Sequence, residues 1–194
     1  MRLWTIQPMC VVDTLNSEDV FRCNTNLSEN YKDFHDAYLW LANEMDKRNI
    51  LHPKDLKLPL WAWHTRNWEH KKPDFRTSGL GCRGERYACI EFEIPDNDVL
   101  LSDYENWHYV LNKCWLDNSW LDNSKNEDDW DRLHEWFDRL PYNRQEKLMV
   151  ESWQKIFDVT PYQDDWISRG AYIQATFWEL RKDMVRNVKY FTAK

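Results

Sequence analysis

Residues 87–95 read Tyr-Ala-Cys-Ile-Glu-Phe-Glu-Ile-Pro, and this stretch decides the fold class. Ala88, Ile90, Phe92 and Ile94 point one way and Tyr87, Cys89, Glu91 and Glu93 the other. That is the two-residue period of a strand with one dry and one wet face. Pro95 has no N–H to give to a ladder and ends it. Upstream, the tryptophan-rich run Leu58–His64 reads as a second strand and Leu3–Gln7 as a first. Downstream, Tyr172–Trp178 and Val185–Phe191 read as closing strands, separated by the charged turn Arg181, Lys182 and Asp183.

Between the strands the period changes. Pro8 sits where a helix often begins, followed by Val11, Val12 and Leu15. Tyr31, Phe34, Tyr38, Leu41 and Met45 recur at three- and four-residue steps, which predicts a helix over about residues 30–47. Ser102 with Glu105 three residues on matches a capping box, and Tyr104, Trp107 and Leu111 continue it as one helical face. Trp130, Leu133, Phe137 and Leu140 mark a helix ended by Pro141, and Met149, Trp153 and Ile156 mark another. Residues 115–119 and 120–124 are both Trp-Leu-Asp-Asn-Ser. A five-residue step advances about 140° around a helix, so the two copies share no face and read as an inserted loop. The sum is an α+β fold, a small mixed or antiparallel sheet packed with several helices. One domain over 1–194 is expected, with a helical insertion at about 103–160.

The chain has 194 residues, 13 Trp, 9 Tyr and 8 Phe, so large rings supply much of the core. Its five cysteines are odd in number and form no Cys-x-x-Cys pair, which points away from a disulfide framework and toward a reducing, cytoplasmic setting. The N-terminus carries no signal-like apolar core and no stretch reaches membrane-span length, so no membrane is expected. A net charge of −7 disfavours bulk nucleic acid as a partner. Residues 66–86 run against this balance, with Arg66, Lys71, Lys72, Arg76, Arg83 and Arg86 beside three glycines. A basic loop in an acidic protein suits a small anion; a solvated loop with no ligand is the plain alternative.

Candidate chemistry lies on the strands. Thr5 and Gln7 on the first, His64 ending the second, and Gln174 and Thr176 on the fourth would line a polar cleft if their faces converge. Glu179 follows the Gln174–Trp178 run, where a sheet can present a catalytic carboxylate, or it pairs with Arg181 or Lys182 as a surface residue. Trp63, with Trp61, would stack on a planar ring, although core packing also accounts for both. Arg76 and Ser78 would hold a phosphate or pyrophosphate. His64 and His70 fit no zinc spacing, so no metal is expected. No Walker, Gly-x-Ser-x-Gly or Gly-x-Gly-x-x-Gly pattern is present.

Leu3-Trp4-Thr5-Ile6-Gln7-Pro8, Ile90-Glu91-Phe92-Glu93-Ile94-Pro95-Asp96, Leu100-Leu101-Ser102-Asp103, Trp107–Asn112 and Gln174–Leu180 together resemble an uncharacterised bacterial and phage family, a domain of unknown function. At the level of layout the chain is also similar to ADP-ribosyltransferases, in its opening strand, its Pro-Asp turn and its late strand presenting a glutamate. That likeness implies NAD as a substrate, with no permanently bound cofactor. Arg76 and Ser78 would lie near the pyrophosphate, Trp63 near the nicotinamide, and Glu179 with Gln174 at the reacting ribose. The family's first-strand arginine or histidine is here Thr5, and its Gln-x-Glu is here Gln174-Ala175-Thr176.

Two functions therefore stand open. One is an ADP-ribosyltransferase-like protein, acting as transferase or NAD glycohydrolase, that binds NAD or a related nucleotide in a polar cleft. The other is a non-enzymatic binding or inhibitory protein, phage-linked, whose acidic, tryptophan-rich helices block a basic protein partner. Asp128, Asp129, Asp131, Glu135 and Asp138 beside Trp130 and Trp136 would form that surface. A nuclease, wanting paired histidines and a basic groove, fits least.

Overall fold

The computed structural model describes residues 1–23, 33–54, 56–117, 127–163 and 168–194. An opening strand, β1 (Arg2–Pro8), runs directly into α1 (Met9–Glu18), and a short β2 (Val20–Arg22) follows. After α2 (His35–Lys47) come β3 (Leu60–Arg66), β4 (Arg86–Glu93) and β5 (Leu100–Asp103). Three helices succeed them, α3 (Tyr104–Leu111), α4 (Glu127–Asp138) and α5 (Tyr142–Ser152), and a 3-10 turn over Trp153–Phe157. The chain closes with β6 (Tyr162–Gln163), β7 (Ser168–Arg169), β8 (Tyr172–Phe177), β9 (Glu179–Arg181) and β10 (Val185–Thr192).

The main sheet has the order β10-β4-β1-β3-β8-β5, with every neighbouring pair antiparallel. Register explains its two faces. Leu3 lies opposite Phe92 and Thr5 opposite Ile90, while Ala62 lies opposite Ala175 and Leu60 opposite Phe177. These side chains turn to one side and bury against Val11, Val12 and Leu15 of α1. On the other side Trp4 pairs with Trp63, and Trp63 with Gln174. That face is covered by Leu41 and Met45 of α2, Trp107 and Val110 of α3, and Trp153 and Ile156 of the 3-10 turn. The α+β expectation is met, with an entirely antiparallel main sheet.

Local details depart from the sequence reading. Asp103, not Ser102, caps α3, accepting the Asn106 N–H at 2.9 Å. The reason is that β5 pairs with β8 as far as Asp103–Ile173, so Ser102 is a strand residue and its hydroxyl faces Gln174. β5 itself, four residues at the sheet edge, carries too short an alternation to be read. α2 begins at His35, after Asp33 and Phe34 in non-helical backbone, so it starts later than expected; residues 30–32 and most of the Trp-Leu-Asp-Asn-Ser repeat lie outside the described residues. Finally, the basic loop after Arg66 is folded back on the sheet edge. Phe75 stacks on Phe191 of β10 at 4.6 Å, and Gly84 and Glu85 exchange backbone hydrogen bonds with Ala193.

Candidate functional site

Strand β3 carries the floor of the site. Trp61 and Trp63, two residues apart, project from the helix-covered face, and β8 sets Gln174 beside Trp63. Tyr38 of α2 and Tyr104, Trp107, His108 and Leu111 of α3 form the walls, with Ile6 and Gln7 at the end of β1. Together they enclose a cleft of about 340 Å³. The rings support one another edge to face or tilted: Trp61–Trp107 at 5.2 Å, Tyr38–Trp61 at 5.9 Å and Trp63–Tyr104 at 5.1 Å between centroids. Such contacts fix ring orientation before any ligand arrives.

The polar groups are held as firmly. Gln174 is almost wholly buried and donates through Nε2 to the Ser102 hydroxyl at 3.1 Å. Gln7 donates to Thr5 Oγ1, which in turn donates to the Trp61 carbonyl, both at 2.8 Å. The His108 ring donates from Nδ1 to the Tyr104 carbonyl one helical turn back, at 3.0 Å. That bond leaves Nε2 to serve a ligand. The cleft therefore combines flat apolar surface with two amides and an imidazole, the usual make-up of a small-molecule pocket.

Of the residues expected from sequence, Gln7, Trp63 and Gln174 meet here. Thr5 is buried toward the α1 side of the sheet and acts on the cleft only by holding Gln7 and the Trp61 backbone. Thr176 is fully buried and donates to the Leu100 carbonyl at 3.2 Å. His64 leaves the alternation because β3 bulges between Trp63 and Thr65. Its ring lies against His70 at 4.2 Å, and burial, His70 and the N-terminal ammonium bring its pKa down to about 4.

Glu179 sits beyond the end of β8, on β9, where it accepts from Arg22 of β2 at 2.5 Å. Its partner is thus neither Arg181 nor Lys182, and it is not part of the cleft wall. The chain bends at Trp178, so Glu179 belongs to the separate β2–β9 ribbon and not to the sheet that carries Gln174. Arg76 is tied to Asp74 by two parallel bonds, Nε–Oδ1 at 3.0 Å and Nη2–Oδ2 at 2.7 Å, which hold the Asp74 carboxyl well below its ordinary range. Its loop, with exposed Ser78, rests on β10, three strands from β3 and so about 14 Å across the sheet. Neither residue reaches the cleft.

A larger cavity, about 890 Å³, opens among α3, α4 and α5, where Trp115 stacks on Phe137 at 4.4 Å and His134 bonds Asp117 at 2.8 Å. Its walls come from separate helices and the loop over residues 114–117. The smaller cleft is the better-built site because its floor is hydrogen-bonded sheet. The acidic helix surface is partly self-neutralised, with Asp129 paired to Arg132 and Glu135 to Arg139. Trp136 is half exposed, while Trp130 turns inward onto His134 at 4.1 Å. Among the described residues no helix is long and apolar enough to cross a membrane, and no three His, Cys, Asp or Glu side chains group to hold a metal ion.

Against known proteins, the model of one family, described as Domain of unknown function (DUF3841), matches residues 2–186. No curated protein and no solved structure matches the chain.

Proposed function

We propose that this chain, which belongs to the DUF3841 family, is a ligand-binding protein whose aromatic cleft takes the planar ring of NAD or a related nucleotide. The observation that carries the reading is the meeting of Gln7, Trp63 and Gln174 with Tyr38, Trp61, Tyr104 and Trp107 around one cleft. Rings offer stacking surface and the amides offer the donor and acceptor pairs that a nicotinamide or a purine edge needs. At about 340 Å³ the cleft is at the small end of ligand pockets. It suits one ring with its sugar rather than a whole dinucleotide.

No transfer step is assigned. Glu179 is committed to Arg22 and stands away from the rings, so it supplies no charge at a ribose bound there. The reading of an inhibitory protein acting through acidic helices takes second place, since it has Trp136 but not Trp130 as an exposed anchor.

The test is a thermal shift and tryptophan-fluorescence titration with NAD, ADP-ribose, AMP, adenosine and nicotinamide. Specific ligands raise the melting temperature by mass action. A rise that disappears in Trp63→Leu and Gln7→Ala supports the reading. A protein that melts unchanged at millimolar concentrations of all five ligands is not a nucleotide binder.

A further inference from the structure

Among the described residues, the Arg66 guanidinium, near the cleft, has no hydrogen-bond or carboxylate partner. Arg66 ends β3 opposite Tyr172 of β8, and Tyr172 lies two residues from Gln174, so the guanidinium emerges on the same face as the cleft. It lies over the Trp63 ring, with Cζ 4.7 Å from the centroid. Its Nη1 is buried and meets no hydrogen-bond acceptor among the described residues. No described carboxylate pairs with it; the ionisable groups that act on it are the phenols of Tyr104 and Tyr172. Arg76 of the basic loop, by contrast, is paired with Asp74.

Arg66 is half-buried, but its Nη1 gives up water without gaining an acceptor among the described residues, which is costly. Burial lowers its pKa accordingly, yet an arginine keeps its proton at any physiological pH. The backbone that presents it is strained as well. Arg66 and Glu69 close a tight turn, Arg66 N–H to Glu69 carbonyl at 3.0 Å, with Asn67 at φ 51° and Trp68 at φ 66°. A bulky side chain in the left-handed region is uncommon, and such strain persists where the surroundings over-determine it, often at ligand sites. Trp68 is held there by its N–H bond to the Ala171 carbonyl at 3.0 Å.

We propose that Arg66 is the anion subsite of the aromatic cleft, receiving the phosphate of a ligand whose ring lies among Tyr38, Trp61 and Trp107. The inference rests on the nucleotide-binding reading for its ring, but the anion subsite is testable without it. The guanidinium fork matches a phosphate oxygen pair. Stacking on Trp63 pre-orients the fork, so less side-chain freedom is lost on binding.

The experiment compares ligand pairs that differ by one charged group. AMP is expected to bind at least about tenfold more tightly than adenosine, the value of one charge-assisted contact. In Arg66→Gln that preference disappears while adenosine affinity is unchanged. Nicotinate against nicotinamide tests whether a carboxylate serves as well as a phosphate. Inorganic phosphate and pyrophosphate, read by thermal shift, probe the subsite without any ring. If phosphate stabilises the parent protein and not Arg66→Gln, the subsite stands even where no nucleotide binds. If Arg66→Gln responds to phosphate and AMP as the parent does, or the parent responds to neither, the proposal is overturned. Folding is controlled by the unliganded melt: Arg66→Gln should melt at or above the parent, since it removes an unpaired charge, and Arg66→Lys should keep the fold with weakened AMP preference.

Discussion

The Asp103 carboxylate accepts the backbone N–H of Gly170 at 2.7 Å, tying the start of α3 to the turn that feeds β8. Asp103 is fully buried and its other oxygen caps α3 at Asn106. One side chain therefore fixes the distance between the helix carrying Tyr104, Trp107 and His108 and the strand carrying Gln174. Gly170 has φ 83°, and a Cβ there would stand 3.0 Å from the Val159 carbonyl.

Removing that tie should loosen fold and cleft together. Asp103→Ala leaves a buried cap and a buried turn N–H unpaired and should cost about 2 to 4 kcal/mol in urea unfolding. Gly170→Ala should cost about 1 to 2 kcal/mol through backbone strain alone. Equal stability of Asp103→Ala and the parent would show that α3 is held by packing instead.

His64 makes stability pH-dependent. Its folded pKa, about 4, lies below the ordinary histidine value of 6.5, so the unfolded chain binds the proton more tightly. Its contribution is fully present above pH 6.5 and is lost as pH falls toward 4. Urea midpoints should therefore decline over that window, and His64→Gln should flatten the decline. An unchanged slope in the variant would assign it to other groups.

Glu44 acts further down the pH scale. Burial pushes this carboxyl up, but Lys47, Arg48 and Gln154 outweigh burial and hold it below its ordinary value. Lys47 Nζ and Arg48 Nη1 each approach it at 2.6 Å. The stabilisation is present above the ordinary carboxylate pKa and lost as pH falls through the lowered one. Glu44→Gln should cost about 1 to 3 kcal/mol at neutral pH, a loss that shrinks below pH 4. A variant equally destabilised at pH 3 and pH 7 would contradict this account.

The strand Tyr87–Ile94 was legible because one of its faces is dry and the other wet, and a two-residue period survives in the letters. β5 and the β2–β9 ribbon were not, since strands of three or four residues carry no period. The cleft was half legible. Gln7, Trp63 and Gln174 stood out as polar or aromatic positions on strands, but Tyr38, Trp107 and Leu111 belong to apolar helix stripes that signal packing, and the pocket exists only where two stripes fail to close over the sheet. In the letters Arg66 reads with the loop charges, because β3 continues two residues beyond His64 through a bulge that a sequence pattern does not register. Glu179 draws attention by its place after a strand, and the ribbon that gives it Arg22 is too short to read from sequence.

Gln174 and Ser102 provide the last test, because their bond separates a structural role from a binding one. Both are nearly or fully buried, and the amide reaches the hydroxyl across the β5–β8 pair. Gln174→Leu keeps the volume but strands the serine hydroxyl, which should cost about 1 to 2 kcal/mol. Adding Ser102→Ala removes the stranded group, so the double variant should recover much of that loss, giving a coupling of about 1 kcal/mol. If the pair served the fold alone, the recovered protein would bind ligand normally. The cleft reading expects it to melt near the parent temperature and still lose nucleotide-dependent stabilisation, since the amide that lines the cleft is gone. A double variant that regains both stability and ligand response would leave Gln174 a packing residue and shift the polar contact to Gln7 and His108.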